Sequence, residues 1–325
     1  MNTKSLFEQL FQDPCFKDSP PVFLDIGASG PPDVTWAPIA PYSVCIAFDA
    51  DARDFKVEST HGWKKRYAFN CIATPESSQS TAFYLTRSPH CSSTLEPNKD
   101  TLSPWLFHPL FDVIDIATLP AISLTEALKK TGYTYIDVFK SDSQGTDLRL
   151  FLSLPTPIQE TVLVAEFEPG ILSAYKEEDK LHQVMAAMDA LPFWVSDMEI
   201  KGTQRIQNAH ARTLNKIQHW DINSFLKPSP GWCEISYMTT LTQKEVTKRQ
   251  CLLAWVFATL KEQHGFALYA ASLGKERYQT SVFDDLLRFS RQHIQRHYPR
   301  LFMSICKRAL RSQKLKFWKK KDPHA

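Results

Sequence analysis

Residues 22–30 read Val-Phe-Leu-Asp-Ile-Gly-Ala-Ser-Gly, an apolar run followed by two glycines three positions apart. The whole chain holds only ten glycines, so two within four residues indicate a requirement of the backbone. A short buried strand that leads into a glycine-containing turn brings bare N–H groups close to a ligand. The stretch therefore predicts the first strand and the ligand-binding turn of an α/β fold.

A second apolar stretch, residues 44–49, reads Val-Cys-Ile-Ala-Phe-Asp, and its acidic end, Asp49, lies nineteen residues after Gly30. In nucleotide-binding α/β folds, an acidic residue about 20 positions beyond the glycine turn binds the ribose hydroxyls. The two strands together predict an adenosine-type ligand. The alternative is a strand and turn of an unrelated α/β protein.

The glycine turn lacks the features that bind phosphate. A dinucleotide site requires the third glycine of G-x-G-x-x-G and a P-loop requires G-K-[ST], whereas Pro31 and Pro32 follow Gly30 here. The pattern from Asp25 to Gly30 is D-x-G-x-x-G. With an acidic residue at the end of the second strand, it resembles the class I S-adenosylmethionine (SAM) methyltransferases, whose ligand carries no phosphate.

Residues 135–145 read Tyr-Ile-Asp-Val-Phe-Lys-Ser-Asp-Ser-Gln-Gly, a predicted strand followed by a helix. Ligands of open α/β sheets bind beyond the carboxyl ends of the strands, and Asp25, Asp49 and Asp142 all fall at such ends. The sequence therefore predicts three carboxylates at one edge of the sheet. Two other interpretations stay open: Lys140 and Asp142 pair with each other, or Asp142 caps the next helix.

Apolar runs alternate with helical patterns, which predicts an α/β fold with a Rossmann-like, mostly parallel seven-stranded sheet flanked by helices. We predict strands at 22–25, 44–48, 67–72, 81–85, 134–140, 161–167, 193–200 and 232–238, and helices at 3–12, 123–131, 145–153 and 177–190. Residues 88–104 form a long loop of the kind that is often functional. The predicted domains are an N-terminal helix (1–20), the α/β domain (21–240) and a helical C-terminal extension (241–325).

Composition predicts a cytoplasmic protein without a metal site. The seven cysteines are odd in number and never form C-x-x-C, which is typical of reduced thiols. The first 16 residues lack the apolar core of a signal peptide, and the apolar run 251–260 is too short to span a bilayer. His293 and His297 lie four residues apart among arginines, as expected of a solvated helix face.

The basic residues are concentrated near the C-terminus. Residues 291–321 contain eleven Lys and Arg and no acidic residue, so the rest of the chain is acidic. Residues 300–325 combine apolar and aromatic positions with this charge, which predicts peripheral contact with an anionic membrane at its inner face. Two alternatives remain. In the first, residues 301–310 pack on the catalytic domain and residues 311–325 form a solubilising end. In the second, the tail binds nucleic acid, but the sequence contains no motif that supports this interpretation.

Four motifs in order resemble the FkbM family of SAM-dependent methyltransferases. The family's motifs D-V-G-A-x-x-G, F-E-P-x, a Ser-Ser loop ending in E-P-N, and K-x-D-x-Q-G correspond to Asp25–Gly30, Phe48–Asp51, Ser92–Asn98 and Lys140–Gly145. The resemblance covers roughly residues 20–200. It departs from the family where Asp49 replaces Glu, where Ser141 and Ser143 replace more usual residues, and where four prolines between 31 and 41 shorten or kink the next helix.

The resemblance implies O-methyl transfer from SAM to a hydroxyl of a sugar, glycan or other natural product. The implied cofactor-binding residues are Asp25, Gly27, Ala28, Ser29, Gly30, Asp49, Ala50, Asp51, Ser143 and Gln144. Asp142 is the first choice for the base, with Lys140 orienting it or polarising the acceptor. Glu166 and Glu168 are further candidates for the base. The alternative is that these two glutamates only lie at a solvated strand end and have no catalytic role. Ser92, Ser93, Glu96 and Asn98 form the implied substrate loop.

Two other functions are compatible with the sequence. The chain could be a non-catalytic SAM-fold binding protein that acts through its basic tail at a membrane or other anionic surface. A nucleic-acid amino-methyltransferase usually carries N-P-P-Y or D-P-P-Y after the fourth strand, where this chain has Ser-Asp-Ser-Gln. The sequence therefore disfavours nucleic acid as the acceptor and leaves the identity of the acceptor open.

Overall fold

A seven-stranded sheet forms the centre of the computed structural model, which describes residues 3–28, 31–51, 53, 60, 62–214 and 222–296. In chain order the strands are β1 Val22–Ile26, β2 Val44–Phe48, β3 Lys65–Phe69, β4 Ile72–Thr74, β5 Ser80–Thr86, β6 Val113–Ser123, β7 Val138–Ser141, β8 Val164–Phe167, β9 Phe193–Thr203 and β10 Ser229–Thr239. The helices are α1 Thr3–Leu10, α2 Lys99–Leu102, α3 Leu124–Thr131, α4 Asp147–Leu152, α5 Thr156–Gln159, α6 Leu181–Asp189, α7 Asn208–Ala211, α8 Ile222–Phe225, α9 Lys248–Leu260, α10 His264–Tyr278 and α11 Val282–Arg296.

The strand order of the main sheet is β3-β2-β1-β7-β8-β10-β9. Strands β1, β2, β3, β7 and β8 are parallel, and β10 is antiparallel to both β8 and β9. The predicted mixed α/β fold with a mostly parallel seven-stranded sheet is thus confirmed. The chain moves from β1 outward to β3 and then returns to β7 on the other side of β1. The gap between β1 and β7 is therefore a topological switch point, where such sheets bind ligands.

Both faces of the sheet are covered, which explains why the central strands are continuous apolar runs. Leu24, Ile46 and Phe139 face a core shared with α3, α4 and α6. Phe23 and Val138 face the opposite core, which includes Phe7 of α1 and Trp255 of α9. The N-terminal helix and the C-terminal helices therefore share one core with β1.

Several elements differ from the sequence-based expectations. The strand predicted at 67–72 is two strands, because β3 ends at Phe69 and β4 starts at Ile72. A separate three-stranded sheet consists of β6 in the centre with β4 on one side and β5 on the other. Neither this sheet nor β6 was predicted. β6 is largely exposed and contains Pro120, and both properties weaken the strand signal.

The turn after β1 does not lead into a long helix. Residues 31–43 of the described chain contain turns and one 3₁₀ turn, Ala40–Tyr42, but no α-helix, in line with the expected effect of the prolines. The loop at 88–104 contains a 3₁₀ turn at Pro89–Cys91 and the short α2. Thr146 rather than Asp142 is the N-cap residue of α4, so the capping interpretation of Asp142 is wrong.

In the ranges that the structure covers, no helix is both long and apolar enough to cross a membrane. The predicted basic tail, residues 300–325, lies outside the described residues. Its contact with an anionic membrane stays a prediction.

A buried ion pair fixes the amino ends of β1 and β7 to the C-terminal helices. The Asp137 carboxylate is fully buried and accepts hydrogen bonds from the Val22 N–H at 2.8 Å and from the Arg249 guanidinium at 2.6 and 2.7 Å. Arg249 also donates to the carbonyls of Ser19 and Pro20, each at 2.9 Å. Four guanidinium N–H groups and both carboxylate oxygens of the pair are therefore bonded within the protein.

We expect Arg249→Ala to lower the free energy of unfolding by ~3–5 kcal/mol, because it leaves a buried carboxylate without its charge partner. Urea denaturation measures the change. Arg288→Ala is the matched control, since Arg288 pairs with Asp285 on the surface and such pairs contribute less than ~1 kcal/mol. Equal effects of the two substitutions would contradict a structural role for the buried pair.

Candidate functional site

The carboxyl ends of β1, β2 and β7 meet in one open cleft, which we call the first cleft. Its empty volume is about 750 Å³, including the open mouth of the cleft. Polar groups of Gly27, Asp49, Asp142 and Gln144 line one side of it. The remaining walls are formed by Ile26, Phe48, Ala50, Asp51, Cys71, Ile72, Ala73, Phe83, Pro89, His90, Ser92, Thr94, Ser143 and Thr146.

The turn at Gly27 packs directly against the loop that follows β7. Gly27 has φ +80°, and a Cβ atom there would lie 2.5 Å from the carbonyl oxygen of Asp142. The Asp142 N–H donates to the Ile26 carbonyl at 3.0 Å, while Gly27 and Ala28 donate to the Phe48 carbonyl. Only glycine fits at position 27, for reasons of both conformation and space. Ser29 and Gly30, the other predicted residues of this turn, lie outside the described residues.

The acidic residues after β2 have different surroundings. Asp49 is half-buried at the first cleft, and its carboxylate accepts the Asp51 N–H at 2.9 Å. The Asp51 carboxylate is buried against the Arg53 guanidinium, which also donates to the Thr86 carbonyl and the Ser92 hydroxyl. Burial alone would raise the pKa of Asp51, but the hydrogen bonds and charge of Arg53 lower it. Asp51 thus connects β2 to the loop at 88–104.

A buried carboxylate, Asp147, organises the loop that carries Asp142. It accepts hydrogen bonds from the hydroxyls of Ser141 and Ser143, from the Ser143 N–H at 2.8 Å and from the Glu168 N–H at 2.9 Å. Burial raises the pKa of Asp147. This side chain therefore joins the loop after β7 to the loop after β8. Sequence reasoning missed it, although an acidic residue immediately after a serine-rich turn was visible.

Gln144 holds the Asp142 side chain in place. Its amide donates to the Asp142 carboxylate, and its side-chain oxygen accepts from the Tyr175 hydroxyl at 2.9 Å. The Ser93 hydroxyl donates to the Gln144 carbonyl at 2.7 Å, and Gln144 itself has φ +57°. Of the two predicted residues, Gln144 thus binds Asp142 directly, and Ser93 binds the backbone of Gln144. Tyr175 was not predicted because it lies far away in the sequence.

Beyond Asp142 lies a second cleft, of about 950 Å³ including its open mouth. Asp142 lines both clefts. The Lys140 ammonium lies 3.0 Å from Asp25, and the charge of Asp25 raises the pKa of Lys140. The interpretation in which Lys140 pairs only with Asp142 is therefore wrong. The second cleft is lined by Asp33, Thr35, Trp36, Lys140, Ser141, Asp142, Glu166, Phe167, Glu168, Asp197, Glu199, Glu234, Ile235, Ser236 and Lys261.

Glu166 lies within β8 and Glu168 directly follows it, and the two glutamates have different partners. Glu166 is bonded to the Lys261 ammonium at 2.7 Å and to the Trp36 indole N–H at 3.2 Å. Lys261 follows α9, so the C-terminal extension contributes to the wall of the second cleft. Glu168 is half-buried, and burial together with the charges of Asp142, Glu234 and Asp147 raises its pKa to about 9. Glu168 therefore keeps its proton at neutral pH.

Not every predicted site residue reaches a cleft. The Glu96 carboxylate pairs with Lys176 at 2.7 Å, and the Asn98 side chain caps α2. Neither residue is among those that line the two clefts. Ser92 does line the first cleft, as do His90 and Thr94, which were not predicted. Within the described ranges, no three His, Cys, Asp or Glu side chains are grouped in a way that would hold a metal ion.

Comparison with known proteins gives no assignment: no protein-family model matches this sequence, and no curated protein is significantly similar to it. A functional proposal must therefore be built on the residues of the two clefts.

The raised pKa of Glu168 has a consequence for stability. Between about pH 4.5 and pH 9 the folded protein keeps a proton on Glu168 that the unfolded chain releases. Wild-type stability should therefore fall with rising pH in this window, by up to ~1.4 kcal/mol per pH unit. The glutamine side chain of the Glu168→Gln variant resembles the protonated glutamate at every pH. The stability of this variant relative to the wild type should therefore increase from pH 6 to pH 8.5.

Thermal unfolding at several pH values measures this difference. Glu160→Gln is the control, because Glu160 is exposed and lies outside both clefts. If the wild type and Glu168→Gln have the same pH dependence, Glu168 is not held in its protonated form.

Proposed function

We propose that the chain is a SAM-dependent methyltransferase of the FkbM type, which transfers a methyl group to a hydroxyl of a sugar, glycan or other natural product. One observation carries the proposal. The glycine turn after β1, the acidic residue after β2 and the Asp142 loop after β7 converge on one cleft at the switch point of the sheet. This convergence supports an adenosine-type ligand, and the turn lacks the features of a phosphate site.

The residues that line the first cleft support a binding site for the adenosine part of SAM. Asp49 would accept hydrogen bonds from the ribose hydroxyls, and the backbone of Gly27, which lines the same cleft, would lie beside the ligand. The apolar side chains of Ile72 and Phe83 would pack on the adenine ring. A further cleft, which shares Gly27 with the first, is lined by Asp25, Ala28 and Lys140. The charges of Asp25 and Lys140 suit the amino-acid end of the ligand.

Asp142 is the base that the geometry favours, because it alone among the candidate carboxylates lines both clefts. SAM supplies a methyl group that is already activated by a positively charged sulfur. The protein must hold an acceptor oxygen about 3–3.5 Å from that methyl group and remove the hydroxyl proton. A positioned base contributes ~10²–10⁴ to the rate. Gln144 orients Asp142, whereas Glu166 is engaged by Lys261 and Trp36.

A non-catalytic SAM-binding protein that acts through its basic tail is the alternative, and a direct assay of methyl transfer separates the two. Contact of residues 300–325 with an anionic membrane, and a location at the inner face of that membrane, belong to the same set of proposals. Either one would place the enzyme near a lipid-linked or membrane-bound acceptor. Nucleic acid is not proposed as an acceptor, because the Asp142 loop lacks the motif of the amino-methyltransferases.

We expect the wild-type protein to bind SAM and S-adenosylhomocysteine, and Asp49→Ala to weaken binding about tenfold or more. A hydrogen bond to a charged group contributes about 1.5–3 kcal/mol, and the substitution removes the carboxylate that would accept from the ribose. Calorimetric titration measures the affinities.

Asp115→Ala is the matched control, since Asp115 is an exposed aspartate on β6 outside both clefts. An Asp49→Ala protein that binds as tightly as the wild type would remove Asp49 from the site. Absence of binding by the folded wild type would end the methyltransferase proposal.

A further inference from the structure

The side chains of Asp142 and Glu168 meet at the ends of two adjacent parallel strands. Ser141 of β7 pairs in register with Phe167 of β8, so the residues that follow them are neighbours. Both side chains line the second cleft, and burial and the proximity of Asp142 raise the pKa of Glu168. Two carboxyl groups within reach of each other can form a hydrogen bond only if one of them carries a proton.

This arrangement is held rigidly by the buried Asp147 carboxylate. Asp147 accepts from the Ser143 N–H one residue beyond Asp142, and from the N–H of Glu168 itself. Gln144 binds the Asp142 carboxylate on another side. The backbone next to Asp142 and at Glu168 is therefore fixed by one side chain of α4.

The charges around the pair are predominantly negative. Asp147 of α4 and Glu234 of β10 both act on Glu168 and disfavour its ionised form. Lys140 and Lys261 are the basic residues that line the second cleft, and their ammonium groups are bonded to Asp25 and Glu166 respectively. The other acidic side chains that line this cleft are Asp33, Asp197 and Glu199. Two full negative charges at Asp142 and Glu168 would therefore be costly.

We propose that Asp142 and Glu168 work as a carboxyl pair that shares one proton, in which Glu168 is the proton-bearing member and positions Asp142 as the base. The part of this inference that concerns catalysis rests on the proposed function. Glu168 is a positioning residue, because it acts through Asp142. Closely spaced carboxyl groups with a single proton are a known way to keep one of the two ionised over a wide pH range.

In the proposed step, the acceptor oxygen forms a bond to the methyl carbon while the carbon–sulfur bond breaks, and that electron pair stays on the sulfur. The hydroxyl proton moves to the Asp142 carboxylate. The pair then holds two protons and no charge, and it releases one proton to water after the product leaves. Charge is balanced, because the donor loses its positive charge as Asp142 loses its negative one.

The first experiment does not depend on SAM or on turnover. The full-length protein is labelled with ¹³C at the side-chain carboxyl carbons of Asp and Glu, and the signals are followed by NMR from pH 4 to pH 10. We expect one glutamate signal to titrate near pH 9 and to be missing from Glu168→Gln, while Glu160→Gln retains it. A Glu168 signal that titrates entirely below about pH 6 would overturn the inference.

The second experiment tests the link to catalysis through the pH dependence of kcat. Glu168→Gln keeps an N–H donor to Asp142 at every pH, so kcat near pH 7 should stay within about threefold of the wild type. Glu168→Ala removes the donor and should lower kcat about tenfold or more, with less than about a twofold change in the KM for SAM.

Between pH 8 and pH 10 the wild type loses the proton of Glu168, so its kcat should fall relative to that of Glu168→Gln. If Glu168→Gln is no better than Glu168→Ala, or if its kcat falls in parallel with the wild type, the positioning role is wrong. A different result would show that the proposed function is wrong. In that case the NMR titration would give the expected result, but neither the wild type nor any variant would bind SAM.

Discussion

The contact between Gly27 and the backbone of Asp142 is the constraint on which the arrangement of the site depends. The carbonyl oxygen of Asp142 occupies the space that a Cβ atom at position 27 would need, and the Asp142 N–H bonds the last residue of β1. The ends of β1 and β7 are thereby brought closer than two side-chain-bearing turns would allow. As a result, the Asp142 side chain faces the first cleft on one side and the second cleft on the other.

A network of polar residues surrounds this contact. Asp147 fixes the Asp142 loop to the end of β8, Arg53 connects the end of β2 to the loop at 88–104, and Tyr175 holds Gln144. The C-terminal helices contribute as well, since Lys261 binds Glu166 within the second cleft. The extension beyond residue 240 therefore belongs to the same core as β1 and also forms part of the site's wall.

The sequence predicted the parts of the structure that depend on local patterns. β1, β2 and β7 lie in short, mainly apolar runs with acidic residues at their ends, and this pattern predicted the sheet and placed Asp49 and Asp142 at the carboxyl ends of its strands. The strand order, and with it the switch point, is known only from the structure. It did not predict β6, whose exposed face and Pro120 weaken the strand signal. The partners of Glu96 and Glu166 could not be predicted either. Each of these carboxylates is bound by a lysine that is distant in the sequence, so the pairing depends on tertiary packing rather than on sequence spacing.

The most direct test of the account is a crystal structure of the protein with S-adenosylhomocysteine. The account predicts that the ribose hydroxyls lie within hydrogen-bonding distance of the Asp49 carboxylate, that the adenine packs near Ile72 and Phe83, and that the sulfur faces Asp142 where the two clefts meet. A ligand bound elsewhere, or bound in the first cleft with its sulfur directed away from Asp142, would contradict the account.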